Sequence, residues 1–173
     1  MKFSWKICVS VLAFSLLIVG IGGYALLSAL FQSSFQREVK SAADENRMLQ
    51  YSFAAYWSTT ARERNSGYLE TDVRRAAQAM KEGMTGTELS FRIYSQDGRE
   101  LYDSGAEEIL RDSQREVLFS AASGETGARM MVRTGEGFGL ATVSTVLMED
   151  GTLLYLETDR DVTALFADRE SQY

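Results

Sequence analysis

The sequence predicts an α+β chain led by an N-terminal apolar helix, and three observations carry that class. Residues 7–31 run ICVSVLAFSLLIVGIGGYALLSALF without a charged side chain. From Phe35 to Tyr56 apolar residues recur in alternating steps of four and three, the spacing of one helix face. Beyond Gly86 the period drops to two in five short segments, the alternation of strands.

The uncharged run is built to cross a membrane. At about 1.5 Å per residue it outreaches the roughly 30 Å of hydrocarbon, so it can cross with some tilt. Lys2 and Lys6 precede it with no acidic residue, whereas Arg37 and Lys40 beyond it are mixed with Glu38, Asp44 and Glu45. Positive flanks stay in the cytoplasm, which places residues 1–6 inside and residues from Gln32 onward outside. A cleaved signal peptide is the rival reading. Its apolar region would span about 7 to 15 residues before a small-x-small site, and here the run is longer, with Leu27 three places before a cut after Ala29. The reading taken is an uncleaved anchor over 7–31. Cys8 precedes the apolar core and reads as a buried thiol, not a lipid attachment site.

Composition describes the exported part. About 140 residues follow the anchor, enough for one core and few for two domains. The chain has 18 Lys and Arg against 24 Asp and Glu; without Lys2 and Lys6 the balance is 16 against 24, a net −8. That charge argues against nucleic acid and against binding an anionic surface by charge alone. Cys8 is the lone cysteine, so no disulfide framework supports the fold, and there is no proline to suggest a flexible linker.

The chain also has no histidine, which removes catalytic triads, histidine-based zinc sites and histidine phosphotransfer from consideration. Three carboxylate pairs remain. Glu107 with Glu108 reads as a helix first turn, Glu149 with Asp150 as a hairpin turn, and Asp159 with Asp161 as a helix cap. No EF-hand loop, phosphate-binding glycine loop or nucleophile elbow appears. The chain reads as a non-enzyme that requires no metal and no cofactor.

Past the membrane a long helix over 32–66 carries Phe35, Val39, Ala42, Asn46, Leu49, Phe53 and Tyr56 on one stripe. Asn46 is its polar member, the kind of residue that sets register and oligomer state. Counting backwards reaches Gln32, Ser28 and Ala25, and Ala25 with Ala29 forms a small-xxx-small pair that lets membrane helices approach. Two readings stand. The stripe Ala25, Ser28, Phe35, Val39, Ala42, Asn46, Leu49, Phe53 pairs two chains in a parallel dimer, or it docks on the chain's own sheet, and both can hold on different lengths.

The helix is expected to break at Asn65-Ser66-Gly67. Thr71 then caps a second helix with Val73, Ala76, Ala77 and Met80 on one face and Gly83 as its stop. Leu89, Phe91 and Ile93 alternate with Ser90, Arg92 and Tyr94 up to the Asp97-Gly98 turn, and residues 100–103 return as the second strand. Residues 106–122 read as helical, in two pieces parted near Asp112 and Ser113. Strands follow at 128–134, 138–148 and 152–157, joined by Gly135-Glu136-Gly137 and Glu149-Asp150-Gly151. Thr158-x-x-Asp161 looks like a capping box that opens a last helix with Val162, Leu165, Phe166 and Tyr173 on its apolar face.

The long helix, the hairpin RIYSQDGRELYDS at 92–104, the meander ending MEDGTLLYLETDRDVTALF at 148–166 and the tail ADRESQY together resemble a known family. They look like the extracytoplasmic sensor region of bacterial two-component histidine kinases, with its first transmembrane helix. The resemblance spans 32–173 and implies a PAS-like fold of the PDC or single Cache kind over 67–173: a five-stranded antiparallel sheet with the long helix across one face. In that family a second membrane helix, a HAMP linker and a kinase core follow such a tail. This sequence stops at Tyr173, which makes it either an input fragment or a free-standing tethered sensor.

Leu89, Phe91 and Ile93 should face the long helix and leave Arg92 and Tyr94 on the other face, where related domains bind small molecules. Arg92, Tyr94, Arg129, Arg133 and Tyr155 are the candidate ligand-binding residues, suited to a carboxylate. A row of solvated side chains is the plain alternative. The functional expectation is a membrane-anchored domain that detects a small-molecule or protein signal and transmits it by helix rearrangement in a homodimer. Alternatives are a bitopic envelope scaffold working by coiled-coil pairing, or the ectodomain of a chemoreceptor or nucleotide cyclase.

Overall fold

A computed structural model describes residues 2–60, 68–84, 90–105, 108–122, 127–135 and 137–166, with side chains from Ile7 onward. Its elements are α1 (Lys2–Thr60), α2 (Leu69–Gly83), β1 (Phe91–Ser95), β2 (Glu100–Asp103), α3 (Asp112–Ala121), β3 (Ala128–Arg133), β4 (Phe138–Leu147) and β5 (Leu153–Asp161). The chain is thus α+β, with a long N-terminal apolar helix and one five-stranded antiparallel sheet of order β2-β1-β5-β4-β3. It divides into two units, Met1–Glu38 and Val39–Tyr173.

The first unit is the apolar part of α1. Its large side chains are exposed, Phe14 by 66% and Val19 by 70%, so they are not part of a packed core. By length and composition this helix can cross a membrane.

In the second unit the remainder of α1 lies on the sheet. Leu49, Phe53 and Trp57 pack with Phe91 and Ile93 of β1, with Leu154 and Leu156 of β5, and with the apolar face of α2. Val73, Ala76, Ala77 and Met80 supply that face, as their spacing requires. Farther along, Ala42 and Val39 meet Leu140, Val162, Leu165, Phe138 and Phe166. Polar bonds set the register between these two apolar zones. The Asn46 Nδ2 donates to Thr142 O at 3.2 Å, Leu156 O at 3.3 Å and Thr158 Oγ1 at 3.0 Å, and Gln50 Nε2 donates to Thr145 O at 2.6 Å. Arg160 reaches Ser41 Oγ at 2.9 Å and pairs with Glu45.

Ala42, Asn46, Leu49 and Phe53 are therefore consumed by contacts within one chain, each 4% exposed or less. On this length of the helix the docking reading replaces the pairing one. Ala25 and Phe35 are not in the buried core, and Ser28 and Val39 are half-buried.

Several expected boundaries move. Helix α2 starts at Leu69 with Tyr68 at its cap, so Thr71 is an exposed residue of the first turn beside Glu70 and Asp72, whose charges suit a helix N-terminus. Residues 108–111 are not helical, and α3 begins at Asp112, so of the two expected pieces only the second forms among the described residues. Strand β5 runs four residues past Glu157, which puts Thr158 and Asp161 inside a strand instead of a capping box. A helical turn does follow at 164–166, where Asp161 Oδ1 accepts the Thr163 N–H at 2.8 Å. The hairpin turns hold, with Gly98 and Gly151 at φ of 82° and 83°, a region glycine enters without strain. Leu89, the Asn65-Ser66-Gly67 break and Tyr173 lie outside the described residues.

Replacing Asn46 by alanine leaves two buried carbonyls and a hydroxyl short of a donor. In urea denaturation of the full chain in detergent micelles, Asn46→Ala should lose about 1–3 kcal/mol, whereas Met48→Ala, on the exposed side of the same turn, should stay within about 0.5 kcal/mol.

Candidate functional site

The sheet face turned away from α1 carries a buried charged network. Pairing of Arg92 with Glu157 and of Tyr94 with Tyr155 sets these four side chains on one side, together with Asp159, Ala141 and Val143. Helix α3 and residues 109–110 cover that side through Leu110, Leu118, Phe119 and Ala122.

At its centre Glu157 is fully buried and held by two arginines. Arg92 Nη1 donates to Oε1 at 3.1 Å and Arg115 Nε to Oε2 at 2.9 Å. Arg92 also bonds Asp159 Oδ2 at 3.0 Å and lies 3.6 Å from Asp103. Arg115 reaches outward to Asp112 and Glu108, both at 3.0 Å, so it fastens α3 and the segment before it to the sheet. Its guanidinium lies 5.1 Å from the Tyr94 ring centroid, and Phe119 stacks on Tyr155 at 4.3 Å.

This arrangement shifts the ionisable groups. Burial pushes the Asp159 acid up from its ordinary 3.8 to about 7; the Glu157 carboxylate adds to the rise, and Arg92 only partly opposes it. Burial works against both arginines, but their carboxylate partners leave them held above their usual value. Tyr94 is raised by burial and by Glu157, so it stays a neutral phenol. Two buried atoms here, Tyr94 Oη and Asp159 Oδ1, have no hydrogen-bond partner among the described residues.

Of the five expected ligand residues, the structure gathers Arg92, Tyr94 and Tyr155. Arg129 and Arg133 lie on the opposite face: Ala128, Met130 and Val132 turn toward α3, and a strand period of two sends the arginines to the α1 side, where they are exposed. The three gathered residues are not a row of solvated side chains either, for Arg92 and Tyr94 are 3% exposed each. An open cleft of about 360 Å³ lies beside the network, lined by Ser90, Ile109, Phe138, Asp159, Asp161 and Thr163 among others. Sequence reasoning missed Arg115, Glu157 and Asp159. The signal was there, since continuing the alternation of β5 from Tyr155 puts both acids on the face of Arg92. Among the described residues no three carboxylate or thiol groups converge as a metal site.

No family model and no curated protein matches the chain. Among solved structures it is similar to the sensor domain of the zinc-responsive histidine kinase CzcS from Pseudomonas aeruginosa, at 15% identity, over 68% of this chain and 94% of that one, with a TM-score of 0.35.

Two outcomes follow from the network. Arg92→Met strands Glu157 and Asp159 in the interior and should cost about 3–5 kcal/mol at pH 8 by chemical denaturation, with a smaller loss at pH 5. Asp159 binds its proton more tightly folded than unfolded, so its contribution to stability is full below about pH 4 and is lost as pH rises through about 7. Between pH 5 and 8 the wild-type chain should therefore lose about 2–3 kcal/mol relative to Asp159→Asn, measured as the difference between the two pH profiles.

Proposed function

We propose that the chain is a membrane-tethered extracytoplasmic sensor domain of the PAS-like, single Cache kind, the input part of a two-component histidine kinase. The supporting observation is the alternation along β5. Glu157 and Asp159 serve the charged layer beside the cleft, while Thr158 and Arg160, between and beyond them, bond Asn46, Ser41 and Glu45 of α1. One central strand thus touches a ligand-sized cleft on one side and the helix that carries the uncharged segment on the other. A signal that rearranges Asp159 has a short physical route to α1. Binding biases one of two arrangements of the helix, which is how a domain reports occupancy without chemistry.

In this reading the N-terminus is cytoplasmic, the Val39–Tyr173 unit is outside, and two copies pair through Ala25, Ser28 and Phe35 of the first unit.

Single cysteines in a Cys8→Ser background test the reading in native membranes. Crosslinking should peak at Ala25, Ser28 and Phe35 and fall at Leu26 and Leu30; a flat profile removes the dimer. A cysteine at exposed Asp44 should react with an impermeant maleimide from outside the cell, and protection there would invert the orientation. Asp159→Asn should change crosslinking yield at Ser28 at least twofold, and an unchanged yield would remove transmission while leaving the anchor.

A further inference from the structure

We propose that the buried acids of β5 form a proton-operated clasp: with a proton on Asp159 the segment 108–111 stays closed on the sheet, and loss of that proton opens it. The inference makes external acidity the signal, and it rests on the sensor reading for its consequence in the membrane.

Geometry singles out Asp159 as the group that takes the proton. Arg92 of β1 and Arg115 of α3 are shared among Glu157 and Asp159 of β5, Asp103 of β2, Asp112 of α3 and Glu108 before it, so carboxylates outnumber cations. Asp103, Glu108 and Asp112 are exposed, and water supports their charge. Glu157 is buried but receives an arginine donor on each oxygen. Asp159 receives one donor: Arg92 Nη1, which also serves Glu157, meets Oδ2 at 3.0 Å, while Oδ1 has neither a donor nor access to water. A buried carboxyl supplied on one side alone is costly when ionised and far less so when neutral. Burial and the Glu157 charge push its pKa up to about 7, in line with that geometry. Tyr94 of β1, a neutral phenol, and Asp161 at the end of β5 complete the titratable groups around it, and β4 sets the uncharged Ala141 opposite.

Once ionised, Asp159 gains hydration only if a wall around it parts. Strands β4 and β5 are paired along their length and separate only by breaking the ladder. Residues 108–111 carry neither helix nor strand. Ile109 lines the same cleft as Asp159 and lies directly over Gly139, where an added Cβ would meet its Cδ1 at 2.7 Å. Leu110 holds the segment in the apolar cluster under α3, and Glu108 ties it to Arg115 at the surface. Local opening therefore starts at this wall. Asp159 binds its proton more tightly closed than open, so closure is favoured in acid, is lost as pH rises from about 4 to about 7, and levels off above.

Hydrogen-deuterium exchange of the full chain in nanodiscs tests the clasp, read by mass spectrometry at pH 5 and pH 7 with labelling times scaled to the intrinsic exchange rate. The peptide over 108–122 should open at least tenfold more often at pH 7, whereas the helix over 42–57 keeps its protection at both. Asp159→Asn, a neutral amide in the acid's place, should hold 108–122 closed at pH 7, within twofold of its pH 5 value, with circular dichroism confirming the fold. Infrared spectra of the wild-type chain give a check that needs no variant: a buried neutral carboxyl band present at pH 5 should fall as pH rises to 8. A wild-type peptide without a pH response, an equal response in Asp159→Asn, an equal loss of protection over 42–57, or no such band would overturn the proposal. Opening that leaves crosslinking at Ser28 equal at pH 5 and pH 7 would uphold the clasp and overturn the sensor reading.

Discussion

A carboxylate without access to water, Glu157, governs the layer above the sheet. An ion of that kind is tolerated in an interior only when its oxygens are met by charged donors, and each of its oxygens has one, from Arg92 and from Arg115. Those two arginines come from different elements, β1 and α3. Satisfying one acid therefore fixes where α3 lies on the sheet, and Glu108 and Asp112 extend the same hold to the segment that enters the helix. Such a network adds little net stability over an apolar packing of equal volume. It does impose a single arrangement, because any displacement of α3 uncovers a buried charge.

The opposite layer is built on other terms. Leu49, Phe53, Trp57 and the face of α2 bury apolar surface against Phe91, Ile93, Leu154 and Leu156, which is where the non-directional stabilisation of the domain comes from. Asn46 and Gln50 add direction. Their amides bond backbone carbonyls of β4 and β5, so α1 is fixed in rotation and translation as well as held down. Strand β5, paired on both edges, supplies alternate residues to both layers and so joins a charged sheet face to an apolar one through a rigid element.

Much of this was legible in the sequence, and the failures share a cause. The uncharged segment, the hairpin with its Asp-Gly turn, the five strands and the apolar face of α2 follow from period and turn chemistry. The end of β5 did not, because Thr158-x-x-Asp161 imitates a capping box, and a local motif outweighed an alternation that ran through it. That boundary error hid Asp159; Glu157 lay within the expected strand, but its partners Arg92 and Arg115 lie in other elements and no local spacing announces the pairing. Arg129 and Arg133 were misplaced for a related reason: on an edge strand with polar and apolar residues mixed, only the packing of Met130 and Val132 against the α3 layer tells which face is which. Asn46 was seen as an exception in a heptad stripe. Its amide bonds Thr142 O, Leu156 O and Thr158 Oγ1 of the chain's own sheet.

The polar seam between α1 and the sheet also limits how α1 can move. A purely apolar contact permits small continuous shifts at little cost, since one methyl group replaces another. Here a displacement of even one residue removes the Asn46 amide from Thr142 O, Leu156 O and Thr158 Oγ1 together, in a place where water does not substitute. Thr142 Oγ1 and Ser144 Oγ, buried on the same sheet face, have no partner among the described residues, so the seam contains polar groups beyond those that Asn46 engages. A contact with directional bonds therefore resists the small sliding motions that an apolar one permits, and it holds α1 at a single register on the sheet.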